Sequence, residues 1–454
     1  MNSNRRVLIF TLSSIAIYLI ASLAAAIFGF SWAPFNKVNL VADIIKTTQH
    51  SDSTEITGID TSQNAPLILT DNTRKRNFNL YTRPNFITSF AADTSKPALV
   101  SFLQKLNELK QGKKRKIRIG YFGDSMIEGD LLTQTLRKLL QKEFGGNGVG
   151  FVPITAATSK FRQTVVDNYS DGWKDESFKT PTDGNLFFSG HLFRGYGDWV
   201  QMIDKTITDS TAIIEKSLLC GLVNQSITIT VNNVPVAINA TGNFNRIVLD
   251  KSINKNIKVS VPDDRLPVYG ISFESESGVI VDNFSFRGIT GVELNKIDSN
   301  FIKAINNEGP YYDLLIFQYG VNVLFRPNDV NFNWYNHIFL PVVQKLKRNF
   351  SNSDIILVST ADRAFMYDGE YKSAKGIDSL IKIQAAIAYQ TGCNFYNQFE
   401  TMGGRNSIVQ WADAKPSLAN KDYVHPNGRG ADSLGVSFFK AIMKDYKKYL
   451  NTIK

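Results

Sequence analysis

The chain has 454 residues, a length at which more than one domain is expected. Its 43% hydrophobic and 20% charged residues fit a globular protein with an ample core and exclude a wholly disordered chain. The formal net charge of +10 lies partly in short runs such as Arg74-Lys75-Arg76 and Lys113-Lys114-Arg115-Lys116. These read first as solvated surface and second as attraction to an anionic membrane or polymer. No nucleic-acid-binding motif accompanies them. The 12% aromatic share fits either sugar-facing rings or core packing.

In chain order, residues 7–30 carry no charge and follow Arg5-Arg6. About 20 apolar residues cross a bilayer, whereas a secretory apolar region is about 7–15 long. The run therefore predicts an uncleaved transmembrane anchor, with cleavage near Ala21 to Ala26 as the alternative. The arginines should stay cytoplasmic and the bulk of the chain should face the other side. Residues 31–93 lack a sustained period and read as a linker or stalk, with one short helix near 41–46. Lys96 to Leu109 reads as a helix.

Ile117 to Phe122 reads as a strand that ends in Gly123-Asp124-Ser125. Leu132, Leu136, Leu139, Leu140 and Phe144 then fall on one helical face, and Gly145-Gly146 stops the pattern. Ser125 is thus expected in a strand-to-helix turn near a helix N-terminus, where free N–H groups favour developing negative charge. From 165 to 277 the pattern changes to alternation, as in Ile227-Ile229-Val231, Val234-Val236-Ile238, Ile257-Val259-Val261 and Ile271-Phe273. Turn pairs such as Asn232-Asn233 separate these runs, predicting a β-sandwich of jelly-roll type. Buried strands resume at Val279–Val281, Leu314–Phe317, Ile355–Val358 and Asn394–Tyr396. Helices are predicted around Asn333–Asn349, Gly376–Thr391 and Gly428–Leu450. Alternating strands and helices argue for a parallel sheet covered on both faces, which binds ligands at the carboxyl ends of its strands.

The chemistry lies in two short stretches. Ser125 follows a strand, and far downstream Asp422-Tyr423-Val424-His425 places a carboxylate and an imidazole in one loop. A nucleophile, a base and a group that orients the base are what acyl transfer through serine requires. The α/β-hydrolase signature G-x-S-x-G is absent around Ser125. A second Asp-Ser, at Asp432-Ser433-Leu434-Gly435, lies inside a helical pattern with no strand before it. The cysteines, Cys220 and Cys393, either pair or remain buried thiols. His50, His191, His337 and His425 show no metal-ligand spacing, so neither a metal nor a cofactor is expected.

Four blocks together resemble the SGNH (GDSL-like) hydrolase superfamily: Gly123-Asp124-Ser125, Asn283-Phe284-Ser285-Phe286-Arg287-Gly288, Gly320-Val321-Asn322, and Asp422-x-x-His425. The resemblance implies a three-layer α/β/α, flavodoxin-like parallel sheet over 94–164 and 278–454, interrupted by the β-rich module at 165–277. It implies Ser125, His425 and Asp422 as catalytic residues. The oxyanion hole would be formed by the Ser125 and Gly288 backbone N–H groups and the Asn322 side chain. Asp124 is read as structural, and Arg287, Asp198 and Trp199 as substrate contacts. Two positions depart from the family pattern: Met126 stands where leucine is usual, and Val323 where aspartate usually follows the asparagine.

Bacterial peptidoglycan O-acetylesterases of this superfamily carry a β-rich insert in a similar place. The insert either binds carbohydrate or only shapes the cleft. The first functional expectation is a serine esterase that removes O-acetyl groups from an envelope polysaccharide such as peptidoglycan, anchored in the bacterial inner membrane with its catalytic part on the periplasmic side. An O-acyltransferase of the same fold, a lipase-like esterase, less favoured because no long apolar lid is obvious, and a non-catalytic polysaccharide-binding protein are the alternatives.

Overall fold

A computed structural model describes residues 77–453 except 157 and 310. The anchor expected at 7–30, the helix near 41–46, His50 and the run Arg74-Lys75-Arg76 lie outside the described residues. Among the described residues no helix is long and apolar enough to cross a membrane.

Strand β1 (Ile87–Thr88), helix α1 (Val100–Lys110), strand β2 (Lys116–Gly123) and helix α2 (Thr133–Phe144) come first. The β-rich part follows as β3 (Gly150–Pro153), β4 (Val165–Tyr169), β5 (Lys174–Ser177), β6 (His191–Arg194), β7 (Trp199–Asp204), β8 (Ile214–Cys220), β9 (Ile227–Val231), β10 (Val234–Ile238), β11 (Asn245–Ser252), β12 (Asn256–Ser260) and β13 (Val268–Glu274). Then come β14 (Gly278–Ser285), α3 (Ser299–Glu308), β15 (Leu314–Gln318), α4 (Asn333–Asn349) and β16 (Asp354–Val358). A small hairpin, β17 (Ala364–Tyr367) and β18 (Glu370–Ser373), precedes α5 (Ile377–Thr391) and β19 (Asn394–Tyr396). Short helices α6 (Gln398–Met402) and α7 (Ser407–Asp413) lead to α8 (Gly428–Thr452).

The central sheet has the order β1-β19-β16-β15-β2-β14. Every neighbour is parallel except β1, which runs antiparallel to β19. Strand alternation divides its residues between two cores. Leu314 and Ile316 pack with Leu103 of α1, Leu136 of α2 and Phe438 of α8. Leu315 and Phe317 face the other way, with Phe301 of α3, Val343 of α4 and Leu380 of α5. The result is three layers, α/β/α. The sequence reading differs at β1: Ile87 and Thr88, read as the end of a linker, close the sheet edge instead. Two residues cannot display alternation, and only the buried Phe86, Ile87 and Phe90 mark the segment as core.

The insert is two antiparallel sheets, β10-β9-β12-β7-β4 and β11-β8-β13-β6-β5. Ile229 and Val259 from the first meet Leu218 and Ile271 from the second in a separate core. Asn232 and Asn233, at φ 49° and 70°, make the tight β9–β10 turn. The sandwich also recruits β3, which pairs with β13, so Gly150–Pro153 belongs to its sheet rather than to the segment 94–164 assigned to the catalytic half.

Two seams join insert to sheet. Phe187 lies 5.1 Å from Phe151 and 5.3 Å from Tyr269, and Phe188 lies 5.7 Å from Phe122 and 5.6 Å from Phe284. These rings are buried core. The second seam is ionic. Arg118 of β2 pairs with Glu274 of β13 and, at 2.7 Å, with Asp282 of β14; Tyr312 Oη donates to Asp282 at 2.8 Å. Of the basic run, Lys114 lies 3.4 Å from Asp313, Arg115 2.6 Å from Glu276 and Lys116 2.7 Å from Glu274. That run is therefore largely matched by this chain's own carboxylates. Cys220 and Cys393 are buried free thiols, and burial pushes Cys220 up to about 12.

Candidate active site

Strand β2 delivers its chain to Gly123, beside the ends of β15 and β14. Asp124 follows, fully buried. Its Oδ1 accepts from Met126 N at 2.9 Å and its Oδ2 from Asn322 Nδ2 at 3.0 Å. It fixes the turn that presents Ser125. Burial pushes the Asp124 carboxyl up to about 7, against the pull of these hydrogen bonds. A few residues on, Asp130 is buried too, but it pairs with Arg137 at 2.7 Å and accepts from Thr164 Oγ1 at 2.7 Å. Burial raises its pKa, yet the Arg137 and Arg162 guanidiniums outweigh that and bring it down to about 2.

The expected helix N-terminus is not at Ser125. Gly129 and Asp130, at φ 70° and 67°, turn the chain sharply, and α2 starts only at Thr133. Because a helix dipole fades beyond its first turn, α2 contributes little at the serine.

Ser125 Oγ lies 2.9 Å from His425 Nε2, and His425 Nδ1 lies 2.7 Å from Asp422 Oδ2. An Nδ1–H donated to the carboxylate leaves the Nε2 lone pair to accept the serine proton. The other oxygen, Asp422 Oδ1, accepts from His425 N and Val424 N, each at 3.0 Å. Burial raises the Asp422 pKa, but these hydrogen bonds and the imidazole bring it below the usual carboxylate range. The loop is braced from outside. Tyr423, at φ 54°, stacks on Tyr371 of β18 at 4.0 Å, and its carbonyl accepts from Ala364 N at 3.0 Å. Asn427 caps α8 by accepting from Arg429 N and Gly430 N. The decoy serine, Ser433, lies within α8.

The Ser125 and Gly288 backbone N–H groups make no hydrogen bond within the described residues. Gly288 is exposed and sits at φ 75°, where a side chain would be strained. Asn322 differs from expectation. Its amide nitrogen donates to Asp124 Oδ2 and, at 2.9 Å, to Ile289 O, so both hydrogens are committed within the protein. Gly320 precedes it at φ 139°; a Cβ there would lie 2.5 Å from Thr360 Cβ. Val323, found where an aspartate is usual, is buried in the core. The loop is held instead by Arg363, whose Nη1 donates to Val321 O at 2.6 Å.

Of the three expected substrate contacts, Arg287 borders the site, exposed and paired with Glu128 at 2.7 Å. Asp198 is a buried turn carboxylate of the insert that accepts from Ser170 Oγ at 2.6 Å and Tyr196 N at 2.9 Å. Trp199 lies under Lys258, whose ammonium is 4.6 Å from its ring centre. A cavity of about 240 Å³ opens beside the serine loop. Glu128, Asn283 and Arg287 line it from one side, and Lys179, Ser189 and His191 from the insert. Among the described residues no group of His, Cys, Asp or Glu is arranged to hold a metal. Glu128, Lys179 and Arg363 were not singled out from sequence.

The sheet, with its Ser–His–Asp relay at the strand ends, defines an SGNH-like hydrolase fold. No family model and no curated protein matches the sequence. Among solved structures, the chain is similar to a peptidoglycan O-acetylesterase at 21% identity and TM-score 0.66, over 80% of this chain and 99% of that one. Other matches are an acetyl xylan esterase (16% identity, 36% of this chain, 81% of that one, TM-score 0.29) and a family two carbohydrate esterase from Cellvibrio japonicus (10%, 63%, 99%, TM-score 0.26).

Proposed function

We propose that this protein is a serine esterase that removes O-acetyl groups from an envelope polysaccharide, peptidoglycan being the first candidate. The observation that carries this reading is the continuous relay from Ser125 Oγ through His425 to Asp422, with the Ser125 and Gly288 backbone N–H groups left uncommitted within the described residues. As Ser125 Oγ attacks the ester carbonyl, its proton passes to His425 Nε2, and Asp422 stabilises the imidazolium. The oxyanion is met by the Ser125 and Gly288 N–H groups. Collapse expels the sugar hydroxyl, which takes the proton from His425 and leaves an acetyl-serine. Water then attacks with His425 as base, releasing acetate and restoring the serine hydroxyl.

The fold shared with a peptidoglycan O-acetylesterase along almost that protein's whole length supports the substrate class. We further propose that residues 7–30 anchor the chain in the inner membrane with the catalytic part outside. The uncharged run after Arg5-Arg6 supports this.

The test is mass spectrometry after incubation with a small activated acetyl ester. An acetyl adduct on Ser125, absent in Ser125→Ala together with turnover, is expected. Unchanged turnover in Ser125→Ala would overturn the reading in favour of a binding protein. With an acetylated donor and a sugar acceptor, acetyl transfer outrunning acetate release would make it an acyltransferase.

A further inference from the structure

We propose that Lys179, carried by the β-rich insert, is a positioning residue of the oxyanion hole, so that the insert sets turnover as well as shape. The proposal rests on the reading of Gly288 N–H as an oxyanion donor. Lys179 Nζ donates to Arg287 O at 2.9 Å. That carbonyl and the Gly288 N–H are two ends of one peptide group. The ammonium also lies 2.9 Å from where a Gly288 Cβ would stand.

The lysine is presented by a built turn after β5. Thr180 N donates to Ser177 O at 3.0 Å and Ser177 N to Thr180 Oγ1 at 2.7 Å. Phe178 N donates to Gly190 O at 3.0 Å, and Phe178 O accepts from Lys296 Nζ of the catalytic half at 2.5 Å. The Phe178 and Phe286 rings meet at 5.3 Å. The turn is thus fastened to the strand-end loop it serves.

The physical consequence follows from the peptide dipole. Glycine at positive φ is the position at which a peptide plane turns most freely. A charge-assisted bond to the carbonyl holds the plane and polarises the N–H at its far end. Glu128 holds the Arg287 side chain, so the preceding residue is tied as well. A donor fixed before reaction needs no reorganisation when charge develops.

Steady-state kinetics on p-nitrophenyl acetate tests this. Lys179→Met should lower kcat about 10-fold or more, with KM within about twofold, because the lost interaction strengthens only in the transition state. Binding of a boronic acid, a mimic of the tetrahedral anion, should weaken in parallel. Lys179→Arg should retain more activity than Lys179→Met. Lys179→Cys should recover turnover when alkylated with bromoethylamine, which returns an amine to that place, with wild type treated alike as control. A wild-type kcat in Lys179→Met, or a loss that the restored amine does not mend, overturns the proposal. Ser125→Ala separates the two claims: if it is inactive while Lys179→Met is unimpaired, only the Lys179 assignment falls.

Discussion

The Ser125–His425–Asp422 relay and the Arg118 seam both build chains of polar contacts onto carboxylates, set in opposite surroundings. His425 and Asp422 keep 35% and 46% of their side chains exposed, whereas Arg118 keeps 5%, and Glu274 and Asp282 are sealed. In the seam, Glu274 is held well below the usual carboxylate range: burial pushes it up, and Arg118, Arg246 and Lys116 pull it down further. The relay can exchange protons with solvent and substrate. The seam cannot, and its charges persist only because each is matched. Removing a group should therefore abolish chemistry at one place and folding stability at the other.

The largest effect is expected from His425→Ala. Turnover should fall on the order of 10⁴-fold or more, with the melting temperature barely moved; ester hydrolysis and thermal melts on one preparation check both halves. Next comes Arg118→Met, which leaves the buried Asp282 without its ion-pair partner and takes one of three cationic partners from Glu274. It should cost about 3–5 kcal/mol in chemical denaturation. A loss below about 1 kcal/mol would mean that the seam is not the weld described.

Asn322→Ala comes third. Because its amide hydrogens already serve Asp124 and Ile289, kcat should fall about tenfold, less than the 10²–10³ typical of a lost oxyanion donor. A thousandfold loss would show the amide leaving those partners for the oxyanion.

The smallest effect concerns Asp124 and Asp130, equally buried in one loop and shifted in opposite directions. Asp124, raised to about 7, holds its proton in the native state over pH values at which the unfolded chain has released it. Between about pH 4 and 7 its contribution should therefore make stability fall as pH rises. Asp130, lowered to about 2, contributes stability that is present above the unfolded carboxylate pKa and lost as pH falls through about 2. Denaturation midpoints across pH should show the first slope in wild type and a flatter line in Asp124→Asn.

Much of the sheet was legible because its strands are buried on both faces and read as short apolar runs, as Leu314–Gln318 and Asp354–Val358 do. The relay was legible because its residue types stand in compact motifs. Strand β11 was not: Asn245–Ser252 has no fully buried residue, so no alternation shows. The β17–β18 hairpin that braces Tyr423 is too short to show a period. Lys179 and Arg363 act on backbone carbonyls far away in sequence. No local pattern marks a lysine in a polar turn as different from any other. Asn322 shows the converse limit: residue type and spacing suggested a donor, and only coordinates show where its hydrogens go.

The interlocked rings of Phe187 and Phe188 carry a last implication. Because these rings of the insert are continuous with the core on one face of the sheet, the two halves have no free hinge along that seam. On the proposed reading, a long glycan would bend to fit a fixed mouth, and selectivity among acetylated positions would come from which sugars tolerate that bend.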